Sequence, residues 1–342
     1  MEKTIRSSIN DEIINQAVLI YGGKFADVFF VGGFENCVYE LALNKEPFIL
    51  RLVHSNHREY NDVLAEIEFI DYLSNNQASV SQVIKTRANK LAETIKIDDG
   101  NYFTVTLFTK ADGDFVVLKD RTPDFFRNFG EVVGKFHKLT KSYQPIHKRG
   151  QWYEEKHLAQ LKVVLPEEDM FIYDKFKALI EEIKALPTDL DSYGLIHTDL
   201  HFKNMFYESN KLTIFDWDDT SYKHFISDIA VIIFYMYVYK YNLDNDKKGD
   251  YTYQFLRHFF EGYLSVNKLD YTWFDHLLKF LKLREFVLYS VIMQESDEFR
   301  NTDGAKKFLS FYKERIRNDI PFLNIKRALG DNRKKTQINR GV

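Results

Sequence analysis

Leu195-Ile196-His197-Thr198-Asp199-Leu200-His201-Phe202-Lys203-Asn204-Met205-Phe206-Tyr207 is followed, after one short turn, by Leu212-Thr213-Ile214-Phe215-Asp216-Trp217-Asp218-Asp219. Polar side chains crowd the first half of this stretch. Alternating apolar residues then run up to a cluster of three acids. Glu208-Ser209-Asn210-Lys211 reads as the turn of a hairpin. A hairpin brings its ends together, so the spacing predicts Asp216 beside Asn204. Asp199 lies on the same loop as Asn204, five positions earlier. One carboxylate to handle a hydroxyl proton, and an amide and a carboxylate to ligate a divalent ion, are the side chains that phosphoryl transfer to a hydroxyl requires. Mg2+ takes few protein oxygens and completes its shell with phosphate and water, so one Asn and one Asp suit it. A His-x-Asp pair and a later Asp each arise often by chance. Their full spacing and order around a hydrophobic hairpin is harder to reach by accident.

Upstream, residues 25–53 read as strands, with glycine pairs at Gly22-Gly23 and Gly32-Gly33. Val38–Leu43 and Phe48–Val53, joined by Asn44-Lys45-Glu46-Pro47, carry a hairpin signal. An amphipathic helix follows over about 58–75, with Val63, Ile67, Ile70 and Leu73 on one face. Strands near 92–96 and 102–109 flank Asp98-Asp99-Gly100. After Asp112-Gly113 the pattern turns helical, at 125–140, at 168–185 and almost throughout from Phe225. The expectation is an α+β, two-lobed chain: a small sheet-rich N-terminal lobe over 1–109, a larger helical lobe over 110–325, and a tail from 326. That tail holds six basic residues against one acidic and reads as a frayed or loosely packed end.

The order of these features resembles the aminoglycoside phosphotransferase and choline kinase family, a distant branch of the protein-kinase-like fold. The resemblance spans roughly residues 20–320, and its specific part is the stretch quoted first. His197, Asp199, Asn204 and Asp216 fall on the family's His-x-Asp-x-x-x-x-Asn and Asp-aromatic motifs. It implies Asp199 as catalytic base, His197 as a brace of the loop, and Asn204 and Asp216 as metal ligands. Two departures stand out. Thr198 replaces the usual glycine, and Arg51, in Ile49-Leu50-Arg51-Leu52, replaces the usual strand lysine. Arginine can still hold phosphate, by a fork and with a permanent charge. The resemblance further implies a phosphate-covering loop at Gly32, Gly33 and Asn36. Glu66, and not Glu68, would partner Arg51, and the main chain near Phe108 to Ala111 would meet a purine edge. Ordinary readings compete: a hairpin turn for the glycines, a solvated strand residue for Arg51, solvated helical charges for Glu66.

Asp218 and Asp219 are expected either to receive a cationic amine of the acceptor or, respectively, to assist the metal and cap a turn. Asp228 would hydrogen-bond the catalytic-loop backbone or cap its helix, and His137 and His201 would be supports. Arg284 and Glu285, on an apolar helix expected over 273–293, read as structurally paired. Tyr235, Tyr237 and Tyr239 read as core and surface aromatics.

The family implies a kinase that uses ATP, with GTP as the alternative, and Mg2+, and that acts on a hydroxyl of a small, amine-bearing or aminoglycoside-like molecule. A protein Ser/Thr kinase of the same branch, or a non-catalytic nucleotide-binding pseudokinase, is the competing reading. Lys plus Arg total 47 and Asp plus Glu total 50, which leaves no basic footprint for nucleic acid. The single cysteine, Cys37, forbids an internal disulfide and suits a reducing cytoplasm. No signal segment opens the chain. The longest apolar run, Ile229–Tyr239, is far short of the ~20 residues that span a bilayer, so no membrane partner is expected. The oligomeric state stays open.

Overall fold

The fold comes from a computed structural model whose described residues are 9–33, 36–97, 100–154 and 156–330. They group into two compact units. The first takes residues up to Phe115, then Ser142–Arg149 and Asn204–Thr220; the second takes Val116–Lys141, Gly150–Lys203 and the chain from Ser221 onward.

The first unit opens with helix α1 (Asp11–Ile20), whose start is capped by the Asn10 side chain accepting from the Ile13 amide. A six-stranded antiparallel sheet follows: β1 (Val28–Gly32), β2 (Cys37–Leu43), β3 (Glu46–His54), β4 (Val83–Ile84), β5 (Glu93–Lys96) and β6 (Tyr102–Thr109). Its order is β1-β2-β3-β6-β4, with β5 also on β6. The expected β2–β3 hairpin forms with a tighter turn than the four-residue link suggested. Leu43 pairs with Glu46 and Ala42 with Pro47, so only Asn44 and Lys45 turn, both at positive φ. That is the two-residue turn whose twist matches its strands. Alternation sends Tyr39, Leu41, Leu50, Leu52, Val105 and Leu107 into one core with Ala17, Val18 and the buried Cys37. Helix α2 (Tyr60–Asn75) buries Val63, Ile67, Ile70 and Leu73, the face its period predicts, and also Glu66. Residues 98 and 99 of the expected Asp98-Asp99-Gly100 turn lie outside the described residues.

A second sheet belongs to this unit. Strand β7 (Asp114–Phe115) pairs with β9 (Met205–Glu208), and β9 pairs with β10 (Lys211–Ile214). The hairpin is tied to the chain after α2, because the Ile214 amide donates to Ser79 O and Ile214 O accepts from the Ser81 amide, at 2.9 and 3.2 Å.

In the second unit, helix α3 (Pro123–Thr140) starts at a Thr122 cap with proline in its first turn. Helices α4 (His157–Val164) and α5 (Met170–Lys184) follow, then a two-stranded ribbon of β8 (Tyr193–Ile196) and β11 (Ser221–His224). Helix α6 (Phe225–Tyr237) is buried along nearly its whole length, as the apolar run predicts. Helix α7 (Asn245–Val266) packs on α3 with backbones in contact. A Cβ on Gly130 would lie 1.8 Å from Phe259 O, and one on Gly262 would lie 1.8 Å from Arg127 O. The helix expected over 273–293 is split: a 3-10 segment, Tyr271–His276, capped by Asp270, precedes α8 (Leu277–Gln294). Helices α9 (Asp297–Arg300), α10 (Asp303–Arg317) and α11 (Ile325–Leu329) complete the unit. Helix α11 corrects the expectation of a loose end starting at 326. Asn324 caps it, and Arg327 pairs with Asp250 at 2.9 Å and Asp246 at 3.3 Å. The basic residues beyond 330 lie outside the described residues. Among the described residues, no helix is long and apolar enough to cross a membrane.

Candidate active site

The predicted residues fall in both units, and each group is built by local structure. In the first unit, the hairpin delivers its two ends as expected. Met205 faces Ile214, and the Phe215 amide donates to Asn204 O at 3.1 Å. Ser209 and Asn210 make the turn, both at positive φ. Asn204 is buried, while Asp216 is exposed at the strand end with φ of 64°. Aspartate tolerates this left-handed conformation, and it turns the chain sharply there. The next residue, Trp217, anchors the turn: it is buried, with its ring edge-on to Phe69 of α2 at 5.8 Å.

Arg51 is buried and forms a fork with Glu66, two contacts of 2.8 Å each. Burial would push its guanidinium down, but Glu66, then Asp218 and Asp216, more than reverse this and hold it charged. Glu68 turns elsewhere, accepting from the amide of His147 and lying 2.7 Å from its Nδ1. The choice of Glu66 over Glu68 is therefore what the geometry shows. The guanidinium lies 5.2 Å from the centroid of the Phe108 ring, so the Phe108 side chain is occupied within the unit. Ala111 sits in the link between β6 and β7.

Asp218 and Asp219 find cationic partners within this unit. Asp218 lies 2.6 Å from His57 Nε2 and 3.8 Å from Arg58 Nε, and Arg58 Nη2 reaches Asp219 at 3.0 Å. Burial would raise the Asp218 carboxyl; His57, Arg58 and Arg51 outweigh it and hold the group well below the usual carboxylate range. Its other oxygen, Oδ1, is buried with no hydrogen-bond partner among the described residues. Arg149 clamps the same segment, donating to the main-chain oxygens of Asp62, Asp218 and Thr220. Sequence reasoning passed over His57, Arg58 and Arg149, which reach these acids from far along the chain.

At the glycine pair, β1 and β2 lose register between Phe30 and Gly32. Gly33 has φ of 129°, and a Cβ there would lie 1.9 Å from Asn36 O, so only glycine fits. Asn36 is buried. Residues 34 and 35 of this loop lie outside the described residues.

In the second unit, the loop at His197–Asp199 is held by Asp228. This carboxylate accepts from the Thr198 amide at 2.8 Å and the His197 amide at 3.4 Å, and His137 Nε2 lies 3.1 Å away. His137 Nδ1 is 2.9 Å from the Tyr263 hydroxyl, which accepts from Asn267 at 3.0 Å. A chain of buried polar groups thus runs from α7 to the loop, with Asp228 within α6 rather than at its cap. Thr198 has φ of 65°, the left-handed conformation that the absent glycine would take without strain. His197 Nδ1 accepts from the Asp199 amide at 3.3 Å, closing the loop on itself.

The Asp199 carboxylate has partners that the sequence did not assign to it. Its Oδ1 accepts from Arg284 of α8, and its Oδ2 lies 3.4 Å from His201 Nε2. Burial would raise this carboxyl, but Arg284 first, then His201 and His197, hold it well below the usual range, so it is ionised. Of the two charges expected to pair structurally, Glu285 does so, with the buried Arg315 at 2.6 Å. Tyr235, expected as a mere core or surface aromatic, holds Arg284 over its ring, 5.1 Å from the centroid.

A model of the family described as "Phosphotransferase enzyme family" matches residues 28–266. The chain belongs to this phosphotransferase family. An amicoumacin kinase of Bacillus subtilis (strain 168) is 30% identical over 325 residues, 94% of this chain and 96% of that protein. The solved structure of amicoumacin kinase hAmiN in complex with AMP-PNP, Ca2+ and Ami has a TM-score of 0.88 and 28% identity, over 95% of this chain and 99% of that one. A microcompartment-associated aminopropanol kinase superposes with a TM-score of 0.66 at 18% identity, over 94% of this chain and 99% of that one, and shows the fold alone. The phosphotransferase is therefore an enzyme of protein-kinase-like fold that acts on an alcohol group. The departure at Arg51 leaves its expected partner in place.

Proposed function

We propose that this phosphotransferase moves the γ-phosphoryl group of ATP onto a hydroxyl of a small, amine-bearing molecule of the amicoumacin type. Asp199, held between Arg284 and His201 on the His-x-Asp loop, is the observation that carries the reading. Amicoumacin kinases supply the substrate class, being alike over nearly the whole chain. Asn204 and Asp216 would hold Mg2+. The donor set fits a hard cation: amide and carboxylate oxygens at one hairpin mouth, with the orphaned Asp218 oxygen two residues on. Among the described residues no group of three or more His, Cys, Asp or Glu forms a metal cage. That agrees with an ion completed by phosphate and water. When bound, Mg2+ neutralises charge on the β- and γ-phosphates.

This chain's own residues do the rest. Asp199 accepts a hydrogen bond from the acceptor hydroxyl and orients it. A carboxylate held this low is a weak base, so it takes the proton only as the new P–O bond forms, which suits a loose transition state. Arg51, fixed by Glu66, would meet phosphate oxygens, and the amides around Gly32, Gly33 and Asn36 would cover them. Main chain from Phe108 to Ala111 would take the purine edge.

The test is ADP release with ATP or GTP and a panel of amicoumacin, 1-amino-2-propanol, spectinomycin and kanamycin. We expect the highest kcat/KM with amicoumacin and ATP. No release with any acceptor, or phosphorylation of protein hydroxyls alone, would reject this reading.

A further inference from the structure

Asp199 is the group that must face the acceptor hydroxyl, and its two oxygens are not equally held. The Lys203 amide donates to His201 Nδ1 at 3.1 Å. His201 Nδ1 is therefore the acceptor, its proton lies on Nε2, and that proton points at Asp199 Oδ2. Arg284 Nη2 donates to Oδ1 and also to the Tyr235 hydroxyl, at 2.5 Å. The Tyr235 ring lies beneath the guanidinium and 4.3 Å from the His201 ring. Asp199, Arg284, Tyr235 and His201 thus form a closed circuit contributed by the loop, α6 and α8. The Arg284 side chain is 13% exposed and that of Asp199 is 20% exposed.

We propose that Arg284, seated on Tyr235, is a positioning residue that fixes the Asp199 carboxylate in the orientation required for transfer. This rests on the reading of Asp199 above. The guanidinium stays in place through the reaction. It sets the angle of the carboxylate from one side while His201 sets it from the other. The buried Glu285–Arg315 pair, with side chains 0% and 4% exposed, is closed to solvent, whereas the Arg284–Asp199 pair is not. A guanidinium that merely shielded the base would have to leave when the acceptor arrives, and Tyr235 holds it where it is.

The experiment compares the intact enzyme with Arg284→Gln, Arg284→Lys, Arg284→Ala and Tyr235→Phe. Steady-state kinetics would be run against ATP and the best acceptor of the panel. For Arg284→Gln we expect kcat to fall about 10²-fold, the scale of a small misplacement of a reacting group, with KM for ATP unchanged. Arg284→Lys keeps the charge without the planar guanidinium over Tyr235 and should fall between. Guanidinium ion added to Arg284→Ala should restore part of kcat. Tyr235→Phe should lower kcat less than Arg284→Gln does. Parental kcat in Arg284→Gln overturns the inference, as does faster acceptor-free ATP hydrolysis in that variant, which would make Arg284 a shield. Should Arg284→Gln not fold, parental kcat in both Arg284→Lys and Tyr235→Phe overturns it equally. A parent inactive toward every acceptor rejects the proposed function itself, and this inference with it. An active parent with indifferent variants rejects the inference alone.

Discussion

At Asp199 the sequence pattern and the structure agree on the residue and differ on its company. The loop motif marks the carboxylate because its neighbours are adjacent in the chain. Its cation partner Arg284 lies 85 positions away, and only folding brings it near. The sequence signal is a charged pair in an apolar helix, and both members are paired as that setting predicts, Glu285 with Arg315 and Arg284 with Asp199. The same holds for His57 and Arg58, which meet Asp218 and Asp219 across 161 positions. We predict that Asp199→Ala lowers kcat about 10²–10⁴-fold, the range of a lost acid–base group. ATP affinity by calorimetry should stay within a few-fold of the parent.

His224 offers a second test at this scale. It is buried among the rings of Tyr193, Trp273 and Phe280, and burial first of all pushes it down to about 4. Its ordinary value is near 6.5, so between those values the unfolded chain takes a proton that the folded one refuses. Stability therefore falls as pH drops from about 6.5 toward 4. His224→Gln should show a shallower loss of Tm across that window. A variant as steep as the parent would place the acid sensitivity elsewhere.

The elements that the sequence made plain are those built from short-range signals. The β2–β3 and β9–β10 hairpins, the amphipathic face of α2 and the buried α6 all follow from periodicity and turn residues. What periodicity does not report is how closely two helices approach. Gly130 and Gly262 carry no signal of their own within helical stretches, yet each sits against the other helix's backbone. Gly130→Ala gains helix propensity, worth about 1 kcal/mol. It also drives a methyl into Phe259 O, which cannot yield as a side chain does, and overpacking of this kind costs about 1–3 kcal/mol or more. With a 1.8 Å approach to backbone putting the cost at the upper end, we expect net destabilisation of about 1–2 kcal/mol, read as a lower midpoint in urea with an unchanged slope. A neutral outcome would mean that α3 and α7 separate freely. The 3-10 segment before α8 also went unseen, because the apolar pattern continues through it and only the Asp270 cap marks the break.

For the whole molecule, family membership and the alcohol-directed chemistry of the enzyme are secured by likeness over nearly its full length. The acceptor and the metal rest on the proposal. Binding of nucleotide and metal to the folded chain alone raises its stability, by roughly 2.7 kcal/mol at a hundredfold excess over Kd. ATP with Mg2+ should therefore raise Tm by several degrees. Asp216→Ala should abolish the Mg2+-dependent part of that rise, measured from the variant's own ligand-free Tm, because alanine tolerates a φ of 64° less well than aspartate and lowers that baseline. A full metal-dependent rise in the variant would remove Asp216 from the ligand set.

The first unit is assembled from three separate pieces of chain, the last ending at Thr220. During synthesis it cannot close when residue 115 leaves the ribosome. It must wait for about another hundred residues, so nascent chains halted before that point would lack Asn204, Asp216 and the hairpin between them. A contiguous fragment cut after Phe115 holds only part of the first unit. A gene truncated or split there should yield a sheet without the hairpin of Asn204 and Asp216.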